Sequence, residues 1–254
     1  MHTTIDGVNA QYEIAGEGAP VLVLHGWGAS IEVMRGVINA VVNMGMQAVA
    51  LDFPGFGGSH EPLEPWGVAE YAAFTRKFME QEGIVGADVV SHSFGGRVAI
   101  LLASEDKTLF NRLVLMGAAG IRPKRTLKWY VRTYLYKLGK RLSQISVFDR
   151  LFHLKEKQKS AGSEDYKALK TDLMRKTFVK VVNLDLSDRL EKIENSTLLI
   201  WGTEDTNTPL YMGKIMEKKI PDAGLVEFQG AGHYSFAEQY GKFCAVLRAF
   251  LCGD

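Results

Sequence analysis

Chemistry in this sequence starts at a serine set between an apolar run and a helix-like stretch. Ala87-Asp88-Val89-Val90-Ser91-His92 reads as a short buried strand, and Ser93-Phe94-Gly95-Gly96-Arg97 as a break into a helix. Ser93 has a small residue two positions before it, Ser91, and another two positions after it, Gly95. This is the sequence form of a nucleophile elbow, a turn so tight that only small side chains fit beside it and the hydroxyl is pushed out above the sheet. A serine hydroxyl is too weak an acid to react unaided. It needs a histidine to take its proton and a carboxylate to orient that histidine.

The elements that must position such groups alternate along the chain. Thr4 to Ile14 carries Asp6-Gly7 between short alternating runs and reads as a hairpin at a sheet edge. Val21-Leu22-Val23-Leu24 is continuously apolar, as a strand covered on both faces should be, and ends in His25-Gly26-Trp27-Gly28. A helix over Ser30–Met44, a strand over Met46–Leu51 and a helix over Trp66–Glu82 follow, the last with a stripe of Val68, Tyr71, Ala72, Phe74, Phe78 and Met79. Beyond the elbow come a strand at Arg112–Met116, another at Thr197–Trp201, a helix at Pro209–Lys219, a last strand at Gly224–Phe228 and a closing helix through Phe243, Leu247 and Leu251. Strand and helix in regular alternation predict an α/β fold, a mostly parallel sheet flanked by helices, with its ligand site at the carboxyl ends of the strands.

Several motifs agree with one another. The elbow, the His25-Gly26-Trp27 turn, the loop Asp52-Phe53-Pro54-Gly55-Phe56-Gly57-Gly58-Ser59, the run Trp201-Gly202-Thr203-Glu204-Asp205 and the turn Gly230-Ala231-Gly232-His233 each follow a predicted strand. Together they resemble the α/β-hydrolase family over nearly the whole chain outside one helical insertion. The resemblance implies a triad of Ser93, Asp205 and His233 in that chain order, with an oxyanion hole made by the backbone N–H groups of Trp27 and Phe94. It also implies an acyl-enzyme route on a carboxylic ester or related small-molecule acyl substrate. Hydrolysis of carbon–carbon bonds, lactones, thioesters or amides stays open, because the same triad serves all of these. Taken singly, Asp205 could be a turn residue and His233 an ordinary loop histidine, and Glu204 is the reserve acid. His25 reads as structural, and His92, beside the nucleophile in sequence, should point elsewhere. A serine at the elbow argues against the related epoxide hydrolases and haloalkane dehalogenases, which carry an aspartate there. Ser91 stands where the family pattern has its first glycine, which leaves a non-catalytic ligand-binding protein as a reading from another class.

Composition sets the remaining bounds. The chain has 254 residues, 46% of them hydrophobic, and a formal net charge of +1. That balance hides a basic segment: residues 122 to 160 hold twelve lysines and arginines against two acids, Asp149 and Glu156, so the remainder is net acidic. This segment includes Trp129, Tyr130, Tyr134 and Tyr136 and opens the helical insertion, expected as a cap over 121–192 between core segments 1–120 and 193–254. Its charge suits a solvated face, or attraction of an anionic or lipid-like substrate or of a membrane surface. No nucleic-acid partner is expected. Cys244 and Cys252 lie in one predicted helix, roughly 12 Å apart at 1.5 Å per residue, too far to bridge. No metal-type spacing and no phosphate-binding loop appear, so neither metal nor nucleotide cofactor is expected. Without a secretory signal or membrane-length apolar run, a cytoplasmic protein is the expectation.

Overall fold

Short runs of Val, Leu and Ile bounded by glycine become central strands because both their faces can be covered. In the computed structural model, which describes residues 1–123 and 164–253, the strands are β1 (His2–Ile5), β2 (Val8–Ala15), β3 (Pro20–Leu24), β4 (Gln47–Leu51), β5 (Ala87–His92), β6 (Phe110–Met116), β7 (Thr197–Gly202) and β8 (Ala223–Phe228). They form one eight-stranded sheet in the order β1-β2-β4-β3-β5-β6-β7-β8. β1 and β2 pair antiparallel, as do β2 and β4, and every later pairing is parallel. Every residue of β5 and of β7 is buried. This is the α/β architecture that the alternation predicts.

The described helices are α1 (Arg35–Val42), α2 (Val68–Gln81), α3 (Phe94–Glu105), α4 (Glu164–Ala168), α5 (Asp172–Val182), α6 (Tyr211–Lys219), α7 (Ser235–Glu238) and α8 (Tyr240–Cys252). One face of the sheet, including Val21, Val23, Val90, Val114 and Ile200, shares a core with Ile38 and Val41 of α1 and Phe243 and Leu247 of α8. The edge hairpin turns at Asp6 and Gly7, whose φ values of 49° and 80° are both positive. A two-residue turn of that handedness matches the right-handed strand twist. The predicted helix over Ser30–Met44 is broken in two: Ile31–Met34 is a tight 3₁₀ turn, and α1 starts only at Arg35. Asp52 explains the tight start, because its Oδ1 accepts the Ile31 N–H at 2.7 Å while Oδ2 accepts that of Gly58 at 2.9 Å.

Two compact units divide the chain, Met1–Arg122 with Lys176–Asp254, and Pro123–Arg175. Lys176 to Lys192, assigned to the insertion on composition, groups with the sheet. Arg97 of α3 is the reason. Its guanidinium is buried, donates to the carbonyls of Val181 and Leu184, the latter at 3.1 Å, and so places a cation at the carbonyl end of α5. Burial lowers the Arg97 pKa to about 10. The Leu186 N–H reaches the Gly120 carbonyl at 2.7 Å, which ties the same segment to the end of β6. Most of the basic segment, with its lysines, arginines and aromatic residues from 124 to 160, lies outside the described residues.

The joint between β5 and α3 is the tightest point of the fold. Ser93 has φ 50° and ψ −107°, and Asp6 is the only other non-glycine residue with positive φ among the described residues. Such a conformation costs on the order of 1–3 kcal/mol and persists only where its surroundings hold it. Here α3 presses onto the end of β3: a Cβ at Gly95 would sit 2.6 Å from the Leu24 carbonyl oxygen and 2.8 Å from that of His25. Gly95→Ala is therefore expected to cost about 1–3 kcal/mol in urea unfolding, since the obstacle is backbone that cannot swing aside. Unchanged stability would mean that the elbow can relax away from β3.

Candidate active site

All the loops of interest leave the same edge of the sheet, because parallel strands end together. β5 runs into Ser93, β3 into His25-Gly26-Trp27, β7 into the loop holding Asp205 and β8 into the loop holding His233. β6, between β5 and β7, ends at Met116, and the next residue joins the groups. The Ser93 N–H bonds the Met116 carbonyl at 3.0 Å, and a Cβ at Gly117 would lie 3.2 Å from Asp205 Oδ2 and 3.3 Å from His233 Nδ1. Only a glycine, here at φ 48°, lets the β6 turn pass beneath that pair.

His233 Nδ1 and Asp205 Oδ2 are 2.8 Å apart. The carboxylate accepts, so Nδ1 carries the proton and Nε2 is left as the lone-pair nitrogen, the form in which imidazole serves as a base. The Asp205 side chain is 1% exposed and that of His233 11%, so the carboxylate is sealed and the imidazole retains an opening. Burial by itself would raise the Asp205 pKa. Hydrogen bonds from His233 and Thr208 outweigh it and hold the carboxyl below its ordinary value. Asp205 Oδ1 accepts the N–H groups of Asn207 and Thr208 at 2.8 and 2.9 Å, a local turn that fixes which oxygen faces His233. Glu204, the reserve acid, is exposed, and the pairing with His233 belongs to Asp205.

His25 is buried and occupied on both nitrogens. Nε2 accepts the Phe53 N–H at 2.9 Å, so Nδ1 is the donor, 2.7 Å from the Gly26 carbonyl. Burial lowers its pKa and keeps it neutral. Because a trans peptide is planar, with C=O and N–H pointing opposite ways, holding the Gly26 carbonyl toward His25 turns the Trp27 N–H the other way. Phe94 is the first residue of α3, where an N–H has no acceptor within the helix. Among the described residues no acceptor takes either N–H. The Trp27 and Phe94 rings are 5.3 Å apart, and the Gly95 N–H bonds the His25 carbonyl at 3.1 Å, so the two turns are docked together. Among the described residues no group of His, Cys, Asp or Glu is arranged to hold a metal ion, and no helix is long and apolar enough to cross a membrane.

Comparison with known proteins decides the family. A model described as "alpha/beta hydrolase fold" matches residues 19–240. The chain belongs to the α/β-hydrolase fold family. The 2-hydroxy-6-oxo-6-phenylhexa-2,4-dienoate hydrolase of Comamonas testosteroni is 28% identical over 258 residues, covering 94% of this chain and 90% of the relative. The 2-hydroxymuconate semialdehyde hydrolase of Pseudomonas putida is 29% identical over 249 residues, covering 93% and 88%. Among solved structures, an esterase from Exiguobacterium antarcticum superposes with a TM-score of 0.77 at 22% identity, over 97% of this chain and 96% of that one. At that identity the likeness speaks for the fold.

Two residues of this α/β hydrolase escape sequence reasoning. Thr208 Oγ1 lies 2.9 Å from Asp205 Oδ2, 2.9 Å from the Gly117 carbonyl and 3.4 Å from His233 Nδ1, joining the β6 and β7 turns. A threonine before Pro209 carries no motif that would announce this. His92, which sequence reasoning left without a partner, ends against the His233 loop, with Nε2 3.0 Å from the His233 carbonyl oxygen.

His92 also carries a pH consequence. Burial first, and then the nearby His233, push its pKa down to about 3. An unfolded chain has the ordinary value of about 6.5, so below that pH the unfolded state takes a proton that the folded state refuses. Stability is unaffected above about pH 6.5 and falls by roughly 1.4 kcal/mol per pH unit from there toward about pH 3. In urea unfolding the native protein should lose about 2 kcal/mol more between about pH 7 and about pH 5 than His92→Gln does. Equal losses would show that His92 charges readily in the folded state.

Proposed function

We propose that this protein is a serine hydrolase of carboxylic esters or related small-molecule acyl compounds. Ser93 attacks the carbonyl, His233 Nε2 takes the hydroxyl proton and passes it to the leaving group, and Asp205 holds His233 in the required tautomer. The N–H groups of Trp27 and Phe94 bind the oxyanion, where each such donor typically lowers the barrier by about 3 kcal/mol. Water then cleaves the acyl-enzyme by the reverse proton path. The observation that carries this reading is the 2.8 Å His233–Asp205 hydrogen bond beside the strained Ser93 turn. Purified protein should release nitrophenol from a short acyl ester, and Ser93→Ala should lower that rate at least about 1,000-fold. A fluorophosphonate probe should add once, at Ser93. No adduct on folded protein would favour a ligand-binding role instead.

A second reading is favoured by the curated relatives, whose names describe hydrolases of a hydroxy-oxo-dienoate and of a muconate semialdehyde. Substrates of that kind have no ester, so the bond broken is carbon–carbon, and the same serine, base and oxyanion donors would serve. Faster cleavage of a vinylogous diketone than of any ester, lactone, thioester or amide would select it.

Those named substrates include carboxylates, which agrees with a part for the basic segment. We propose that the insertion expected over 121–192, whose separate unit is Pro123–Arg175, forms a cap whose charge draws an anionic or lipid-like substrate toward Ser93. For a negatively charged ester, kcat/KM should then fall as salt rises, while a neutral ester of equal size hardly responds. Replacing Lys124, Arg125 and Lys128 with glutamine should mimic high salt. Identical salt profiles for the two esters would reduce the segment to a solvated face, and co-sedimentation with anionic vesicles would reassign its charge to a membrane surface.

A further inference from the structure

We infer that His92 is a positioning residue for His233: held at the end of the strand that presents Ser93, it ties down the backbone of the loop that carries the base. The inference rests on the serine-hydrolase reading above.

Its geometry allows one hydrogen-bonding assignment. A neutral imidazole has one N–H and one lone pair, and a carbonyl oxygen only accepts. His92 Nε2, 3.0 Å from the His233 carbonyl oxygen, must therefore be the donor. Nδ1 is then a buried lone pair, without a partner among the described residues. The Gly26 turn closes over it, for a Cβ at Gly26 would stand 2.8 Å from that nitrogen. Around the ring are other rings: His233 at 4.6 Å between centroids, Tyr234 at 4.9 Å and Phe236 at 5.2 Å. In such a pocket a phenyl ring would fill the space and bring no unpaired polar atom of its own. What it would lose is the N–H to His233.

That bond differs in kind from the others in the loop. The Gly230 N–H goes to Thr203 Oγ1 at 2.8 Å, the Ala231 carbonyl accepts from Glu204 N–H at 2.9 Å, and the Gly232 N–H goes to Glu238 Oε2 at 2.8 Å. These ties run to the β7 loop or to α7, and Asp205, which orients the ring, is also on the β7 loop. His92 is covalently next to Ser93. Its bond fixes the base directly against the nucleophile's own strand, with no relay across β6 and β7. A displacement of about 1 Å between reacting groups can cost on the order of 100-fold in rate, so a direct tie at this point bears on turnover rather than on substrate binding.

Three variants separate this role from space filling. His92→Phe keeps the ring and removes the donor. His92→Gln places an amide N–H near the level of Nε2, whereas His92→Asn ends near the level of Nδ1 and falls short. With ¹⁵N-labelled histidine, the low-field proton of the His233–Asp205 hydrogen bond can be followed without substrate and identified by its loss in His233→Gln. Phe and Asn variants should broaden or abolish this signal and lower kcat about 10- to 100-fold, with KM within about threefold. The Gln variant should restore both. A sharp native signal and native kcat in the Phe or Asn variant would overturn the inference, as would Gln failing like Asn. If Ser93→Ala hydrolyses esters like the native protein, the serine reading falls, while the proton signal still decides whether His92 holds His233.

Discussion

The turn at Ser93 is the constraint on which the rest of the site depends. A non-glycine residue at φ 50° and ψ −107° resists its own backbone geometry, and the fold holds it by contacts on both sides. The Ser93 N–H is taken by Met116 and its carbonyl accepts from Ala119, so β6 and its turn grip the elbow from one flank. Gly95 lets α3 approach from the other, against the Leu24 and His25 carbonyls, while Gly96 makes room for Ala118 of the β6 turn, which a Cβ there would meet at 2.5 Å. Ser91 occupies the position before the elbow without obstructing it. Its side chain is fully buried and Oγ donates to the Val114 carbonyl at 3.2 Å, so the extra hydroxyl is satisfied within the sheet.

Charge is distributed in the site with the same economy. His25 and His92 are both buried and held neutral by desolvation, each with its donor spent on a backbone carbonyl. His233 alone of these combines a carboxylate partner with residual exposure. A proton on either of the two buried rings would be stranded in low dielectric. The two neutral rings act on backbone: His25 orients the Gly26–Trp27 peptide, and His92 meets the carbonyl of His233. Histidine is suited to such work because a neutral ring can donate at one nitrogen while the other accepts or stays bare.

Much of this was legible in the order of residues. Continuous apolar runs marked the central strands, since a strand covered on both faces has no polar side to display. Asp6-Gly7 marked the hairpin through its tolerance of positive φ, and Ser93, Asp205 and His233 stood out because each follows an apolar run at a glycine-rich break. Boundaries were less legible where a tertiary bond decides them. The 3₁₀ start before α1 depends on Asp52, distant in sequence, and the grouping of Lys176–Lys192 with the core depends on the buried Arg97. Composition alone placed that stretch with the charged insertion.

By itself the sequence determined the α/β class, the chain order of the candidate nucleophile, acid and histidine, and the strong basic bias of residues 122 to 160, because these depend on local pattern and on counts. Only the tertiary structure decided that Asp205 and not Glu204 meets His233, that Thr208 joins them, and that His92 and His25 are spent on backbone carbonyls. Adjacent residues in a loop can face opposite ways, and a histidine's tautomer follows from what lies at each nitrogen. Both are properties of neighbours brought in by other strands, and no local pattern records them.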